Sequence, residues 1–325
     1  MDGVKFDIET IEMLSSGEIY GKAIAELGDT EKDIVVLTAD LTRSNKTGAF
    51  RDRHPSRFFN FGIAEQNMFG AAAGMAACGK IPYVSTMAAF ASMRACEMVR
   101  TDIAYPNFPV RIVSTHSGLS MGNGGTTHHS TEDLAIMRSI PNMTVIVPAG
   151  PRQCARIIKE TVHHPGPIYI RIGRGAEPVI YPDDSAYDWQ IGKSIMQRDG
   201  DAVTVFATSF TIMNSIFAAE RLEEDDDIHI RVVDMHTIKP IDKEAIRKAA
   251  KETKAILTVE DHNIIGGLGS AVAEVLAEEN ISIPFKRIGV PDVFSVIGEP
   301  EQLHNRYGND DEGIYNAVKD ILQKI

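Results

Sequence analysis

Short runs of β-branched and aliphatic residues recur along the chain, separated by amphipathic helical patterns, and this alternation most narrows the folds open to it. Ile34–Leu37, Tyr83–Val84, Val110–Val113, Val145–Val147 and Ile168–Ile170 form one series. A helix between successive strands lets them run parallel, so the series predicts a parallel sheet with helices packed on its faces. The stretch Glu177–Asp184, with its Pro and Asp residues, breaks the rhythm and reads as a linker. A second series follows, with strands at Val203–Phe206, His229–Val233 and Ile256–Val259 and helices near 212–222 and 243–254. With 325 residues and 43% hydrophobic content, the chain can bury two cores. The expected fold class is α/β in two domains, each a mainly parallel sheet flanked by helices. They span residues 1–182 and 190–325, with the linker at about 177–192.

Composition excludes several functions. A net charge of −12 argues against a general nucleic-acid binder, which needs a basic surface to displace counterions from phosphates. An anionic substrate must then be held by a local cationic pocket. Cys78, Cys96 and Cys154 lack CxxC spacing, imply neither disulfides nor a zinc site, and read as buried small hydrophobes. Met1–Asp7 has no basic, then apolar, leader pattern, and no apolar run reaches bilayer length, so the expected location is the cytoplasm, away from membranes.

Chemistry enters at Phe61-Gly62-Ile63-Ala64-Glu65, where a strand-like 57–61 turns at Gly62 into a helix rich in Ala and Gly. Alone, an acid at a helix start favours the helix dipole and faces water. Downstream come Thr86–Phe90, then a helix through Arg100, then Val110–His116 running into the loop Thr115–His128. That loop holds Gly118, Gly122, Gly124 and Gly125 and is followed by Glu132–Leu134 and Arg138–Met143.

In this order the motifs resemble the pyrimidine-binding half of the transketolase family of thiamine-diphosphate enzymes. That family includes deoxyxylulose-phosphate synthase and, more distantly, the β subunits of 2-oxoacid dehydrogenases. The resemblance runs from about Ile34 to the C-terminus. It implies thiamine diphosphate as cofactor and puts on Glu65 the carboxyl that shares a proton with the pyrimidine N1′, a role needing a dry site. It gives Phe90 the aromatic face that stacks on the aminopyrimidine. Met87 and Met93 stand where many members carry further aromatics, and a thioether suits the same pocket. Asp40 is placed near the thiazolium and Ser44 on substrate phosphate, with a plain Asx or Ser turn as the competing reading. His116 corresponds to a histidine on substrate phosphate and His128 to one on substrate hydroxyl or carbonyl oxygens, with His129 a neighbour. Arg174 resembles a strand-end arginine that binds phosphate, and Arg171 is the fallback.

Two departures shape the expectation. Members usually carry Asp where this loop has Gly124, which leaves Asn123 or a partner residue to read a sugar hydroxyl, or signals a different substrate. The family's Gly-Asp-Gly motif, which with a later Asn holds the diphosphate and its Mg2+ or similar divalent cation, is absent from the sequence. No metal ligand is therefore assigned on this chain. The chain resembles the C-terminal half of a split transketolase whose N-terminal partner subunit carries that site, the pair doubled as α2β2. The expected reaction moves a two-carbon ketol unit from a ketose phosphate to an aldose phosphate. The alternatives are a deoxyxylulose-phosphate synthase half, a 2-oxoacid dehydrogenase β subunit, a non-catalytic paralogue, and a nucleotide module built on Gly266–Gly269.

Overall fold

The computed structural model describes residues 11–181 and 187–325. The Met1–Asp7 reading, and the part of the expected linker at 182–186, lie outside the described residues. The first sheet runs in the order Phe58–Asn60, Ile34–Thr38, Ile81–Met87, Arg111–Thr115, Ile168–Arg171, Thr144–Ile146, Thr237–Lys239. Its neighbours are parallel except the last pair. From Ile34–Thr38 the chain steps to one side, then crosses back to Ile81–Met87 on the other. Such a reversal opens a crevice at the carboxyl ends of the strands, where ligands bind in open α/β sheets.

Strand alternation sorts side chains between the two faces. Ile34 and Val36 pack with Tyr20, Ile24, Phe50 and Tyr83 under the helices Ser16–Thr30 and Pro151–Glu160. Val35 and Leu37 pack on the opposite side with Met68, Phe69 and Ala72. Those three belong to helix Glu65–Ala77, whose buried stripe is Glu65, Met68, Phe69, Ala72, Ala73 and Ala76. Its i, i+3, i+4 spacing holds one face to the sheet, so the first residue of the helix points inward. Phe69 is fully buried, and Phe69→Ala would cost about 3–5 kcal/mol.

The second sheet is ordered Phe285–Val290, Ala255–Asn263, Val203–Ala207, Arg231–Asp234, Ile195–Arg198, parallel apart from its last pair. The two sheets share apolar packing: Leu134, Met137 and Val145 sit in one cluster with Phe206, Ile256, Leu268 and Val272. Thr237–Lys239, from the second series, joins the edge of the first sheet, with Thr237 opposite Ile146.

Two expectations need correction. Part of the expected linker is ordered: Ala176–Pro178 pairs antiparallel with Met13–Ser15, and the buried Glu177 carboxylate accepts from the Ser16 hydroxyl. Val179, Ile180 and Tyr181 bury as well, because apolar side chains between the prolines outweigh the turn signal of the prolines themselves. Of the cysteines only Cys154 is buried; Cys96 is half-buried and Cys78 is exposed where the Glu65–Ala77 helix ends. Among the described residues no helix is long and apolar enough to cross a membrane.

Candidate active site

Five adjacent parallel strands of the first sheet each deliver a candidate residue from the carboxyl end. Asp40 and Ser44 follow Ile34–Thr38, Glu65 follows Phe58–Asn60, and Met87 ends Ile81–Met87 with Phe90 three residues on. His116 follows Arg111–Thr115, and Arg174 follows Ile168–Arg171. In-register pairing of Thr38 with Ser85 and Asn60, of Met87 with Thr115, and of Ser114 with Arg171 brings these ends level.

Glu65 is 1% exposed, not a solvated helix-start acid. Its Oε2 accepts from Arg94 Nη1 at 2.9 Å. The Arg94 guanidinium lies over the Phe90 ring, with Cζ 4.4 Å from the centroid, and His128 meets that ring edge-on at 5.4 Å. Phe90–Arg94 is a π-helical turn, closed by Ala95 N donating to Phe90 O at 3.2 Å. π turns are rare and often sit at functional sites. The Arg94 guanidinium thus bridges the Phe90 ring and the Glu65 carboxyl, filling the space between them. Sequence reasoning missed Arg94, although its i, i+4 spacing from Phe90 was the signal available. Met87 is buried beside this turn, whereas Met93 is half exposed.

His116 is 6% exposed, and its Nδ1 lies 2.7 Å from Thr115 Oγ1, which donates to Asn45 Oδ1 at 2.8 Å. Burial, then the charges of Arg174, His128 and Lys46, pulls His116 down to about 4, so the ring is neutral at pH 7. His128 is half-buried, its Nδ1 2.9 Å from Thr127 Oγ1. His129 turns inward to Gly122 O at 2.8 Å and holds the loop together. The loop is pinned to the second domain by Asp261, whose carboxylate accepts from Leu119 N at 3.1 and 3.2 Å. Gly118, at φ 54°, leaves no room for more, since a Cβ would stand 1.9 Å from Asp261 Oδ2. Gly124 lies under Met121, whose Cγ would be 2.5 Å from a Cβ there, and Asn123 donates to Glu299 instead.

A cavity of about 790 Å³ opens beside these groups, lined by Arg43, Ser44, Lys46, His116 and Arg174 among others. Asp40 stands outside its lining, exposed, with N and Oδ1 bonded to the Asn60 amide at 2.9 and 3.2 Å. Arg174 is exposed and anchored by its N to Ser120 Oγ at 3.1 Å. Arg171 is not a second phosphate ligand. Its side chain is 1% exposed and donates to Asp133, Ser130 O and Asp261 O, because a buried guanidinium must satisfy its donors internally.

The Gly266–Gly269 segment does open a helix, Leu268–Glu278. Two of its first-turn amides are taken: the buried Glu260 carboxylate accepts from Leu268 N at 2.6 Å and Gly269 N at 2.8 Å and puts negative charge where a phosphate would sit. A nucleotide phosphate has no place at that helix start. Among the described residues no three His, Cys, Asp or Glu side chains gather as a metal site.

Residues 12–178 match the family model described as "Transketolase, pyrimidine binding domain", and residues 192–314 match "Transketolase, C-terminal domain". An apulose-4-phosphate transketolase subunit from Phocaeicola vulgatus is 38% identical over 96% of this chain and 99% of its own. A 6-deoxy-6-sulfo-D-fructose transketolase subunit from a Clostridium species is 36% identical over 94% of each. Among solved structures, "Split gene transketolase, inactive beta4 tetramer" superposes with a TM-score of 0.88 at 44% identity, covering 95% of this chain and 99% of the other.

Proposed function

The chain belongs to the transketolase family, and from that membership we propose that it is the C-terminal subunit of a split, thiamine-diphosphate-dependent transketolase. The observation that carries this reading is the dry Glu65 carboxyl set beside the Phe90 ring with His128 at its edge. Glu65 and Phe90 would hold the pyrimidine end of thiamine diphosphate, which when bound would supply the nucleophilic carbon for moving a two-carbon ketol unit between sugars. Glu65 would hydrogen-bond the pyrimidine nitrogen and share its proton, and its burial would keep water from competing. Phe90 fixes the plane of the ring. Arg94 would have to give up Glu65 to the ring, and its side chain, 45% exposed, has water to turn into. His128 donates to sugar oxygens as charge develops on them. His116, neutral, is a hydrogen-bonding ring rather than a fixed charge. Arg174 and Ser44 take the anionic end of the sugar, and both the phosphate and the sulfonate in the relatives' names are groups of that kind. Asp40, exposed just past the end of Ile34–Thr38, is proposed to act on the cofactor side.

The cofactor's diphosphate and divalent cation are assigned in this reading to a separate N-terminal subunit, because relatives of matching length are named as transketolase subunits and the solved neighbour is a split-gene transketolase. Exposed apolar residues flank the carboxyl and the ring, Ile63 at 80% and Met93 at 50%, which fits a surface that a second chain covers. The test is reconstitution. The isolated chain with cofactor and magnesium is expected to be inert, and adding the N-terminal partner encoded separately is expected to give ketol transfer between sugar phosphates. Turnover by the isolated chain, or none with the partner present, overturns the proposal.

A further inference from the structure

Lys46 combines features that no role assigned so far uses. Its backbone is left-handed, φ 59°, and for a lysine such a conformation costs about 1 kcal/mol or more and persists only where the surroundings fix it. What fixes it is the Ser16–Thr30 helix: a Cβ on Gly21 would stand 2.0 Å from the Lys46 carbonyl oxygen. The side chain then passes Gly17, where a Cβ would lie 3.3 Å from Lys46 Cγ, and reaches the cavity that holds Arg43, Ser44, His116 and Arg174. Two further groups lining that cavity lack partners. Arg43 makes no ion pair or hydrogen bond among the described residues, and the 6%-exposed His116 has none at Nε2. Lys46 itself is paired with Glu18 at 3.2 Å, with side-chain exposures of 41% and 67%. Pairs so exposed are worth little and exchange readily.

We propose that Lys46 is a second cationic arm of the anion site, acting with Arg174, and that Glu18 occupies it until a dianionic phosphate on the distal carbon of the sugar displaces the carboxylate. This rests on the reading of the chain as a subunit acting on sugar phosphates. Three fixed cations, Arg43, Lys46 and Arg174, face two carboxylates, Glu18 and Glu299, in this cavity. Glu299 is already engaged by Asn123 and by its capping box, so Glu18 is the acid free to leave. In a chain of net charge −12, such a concentration of positive charge marks a place built for an anion.

Lys46→Gln and Glu18→Gln must then act in opposite directions, which a merely structural pair would not do. Both substitutions keep the Cβ, so neither alters the backbone demand. Inorganic phosphate is titrated into the isolated chain at constant ionic strength against chloride, following the His116 imidazole by NMR. Lys46→Gln is expected to weaken binding about tenfold, Glu18→Gln to tighten it about threefold, and Lys46→Arg to stay near wild type. Wild-type binding by Lys46→Gln, or weakening by Glu18→Gln, overturns the proposal. In the reconstituted enzyme, Lys46→Gln is expected to raise KM for a phosphorylated sugar with kcat kept and to spare an unphosphorylated one. An unchanged KM beside weakened phosphate binding also overturns it, because the anion would then be free phosphate and not substrate. The titration needs neither cofactor nor partner, so absence of ketol transfer with the expected phosphate data would remove the transketolase reading and leave the anion site standing.

Discussion

Replacing Arg171 with Met separates a buried structural cation from a phosphate ligand. Arg171 Nε donates to Asp133 Oδ2 at 2.8 Å, and its Nη2 donates to Ser130 O at 3.0 Å and Asp261 O at 2.7 Å, joining the active-site loop to the second domain. Burial alone would raise Asp133, yet the Arg171 charge and the hydrogen bonds from Arg171 and Tyr169 hold it below the usual carboxylate range. Methionine fills the volume but leaves a buried carboxylate with Tyr169 as its remaining hydrogen-bond donor and strips two carbonyls of a donor. Breaking one side of a buried pair costs about 3–5 kcal/mol. Removing the charge as well, in Arg171→Met with Asp133→Leu, is expected to restore part of that loss. Urea denaturation followed by circular dichroism reads both, and the m-value reports whether the domains still unfold together. A loss under about 1 kcal/mol, or intact stability with weakened phosphate binding, would refute the buried-network account.

Arg174→Ala in the reconstituted enzyme is expected to lower kcat/KM for a sugar phosphate roughly ten- to hundredfold, from a charge-assisted contact of about 1.5–3 kcal/mol, and to change an unphosphorylated sugar much less. Equal losses on both substrates would contradict the assignment. Asp234, buried and bonded to Tyr181 and Gln153, is pushed up to about 7 by desolvation. It keeps its proton in the fold while the unfolded chain loses it near the ordinary value of 3.8, so its contribution falls as pH rises from about 4 to 7. Asp234→Asn should therefore gain on wild type across that window, by up to about 1.4 kcal/mol per pH unit, in denaturation curves at stepped pH. A difference independent of pH would remove Asp234 from the linkage.

Much of the first sheet was legible because its strands are buried on both faces and read as continuous β-branched runs, as at Ile34–Thr38. Alternation also showed the second sheet. Short or polar edge strands carried no such signal: Thr237–Lys239 joins the first sheet by tertiary pairing, and Ala176–Pro178 hides inside a turn-like composition. At the site, a helix-mouth acid and a Gly-rich loop with two histidines are local features and could be read. Arg94 was not picked out: its spacing from Phe90 could be read, but its ion pair with Glu65, 29 residues away, is made by tertiary packing. Nor was Lys46, whose aim depends on a left-handed backbone and on glycines of a distant helix. Arg171 and Arg174 lie three residues apart on one strand end, and only packing separates the buried one from the exposed one.

The central claim is that the Glu65 carboxyl, dry and beside Phe90, handles the proton that activates the cofactor. Glu65→Gln keeps the size and a hydrogen-bonding oxygen for Arg94, and the half-exposed guanidinium can still reach water, so the fold and the meeting with the partner subunit should survive. The direct measurement is the exchange rate of the thiamine diphosphate C2 proton, by NMR with rapid quench, in the reconstituted wild type and the Gln variant. The expected result is exchange slower by about 10² to 10⁴, the usual reach of general acid–base catalysis, with kcat falling alongside. Wild-type exchange in the Gln variant would contradict the claim and take Glu65 out of the mechanism.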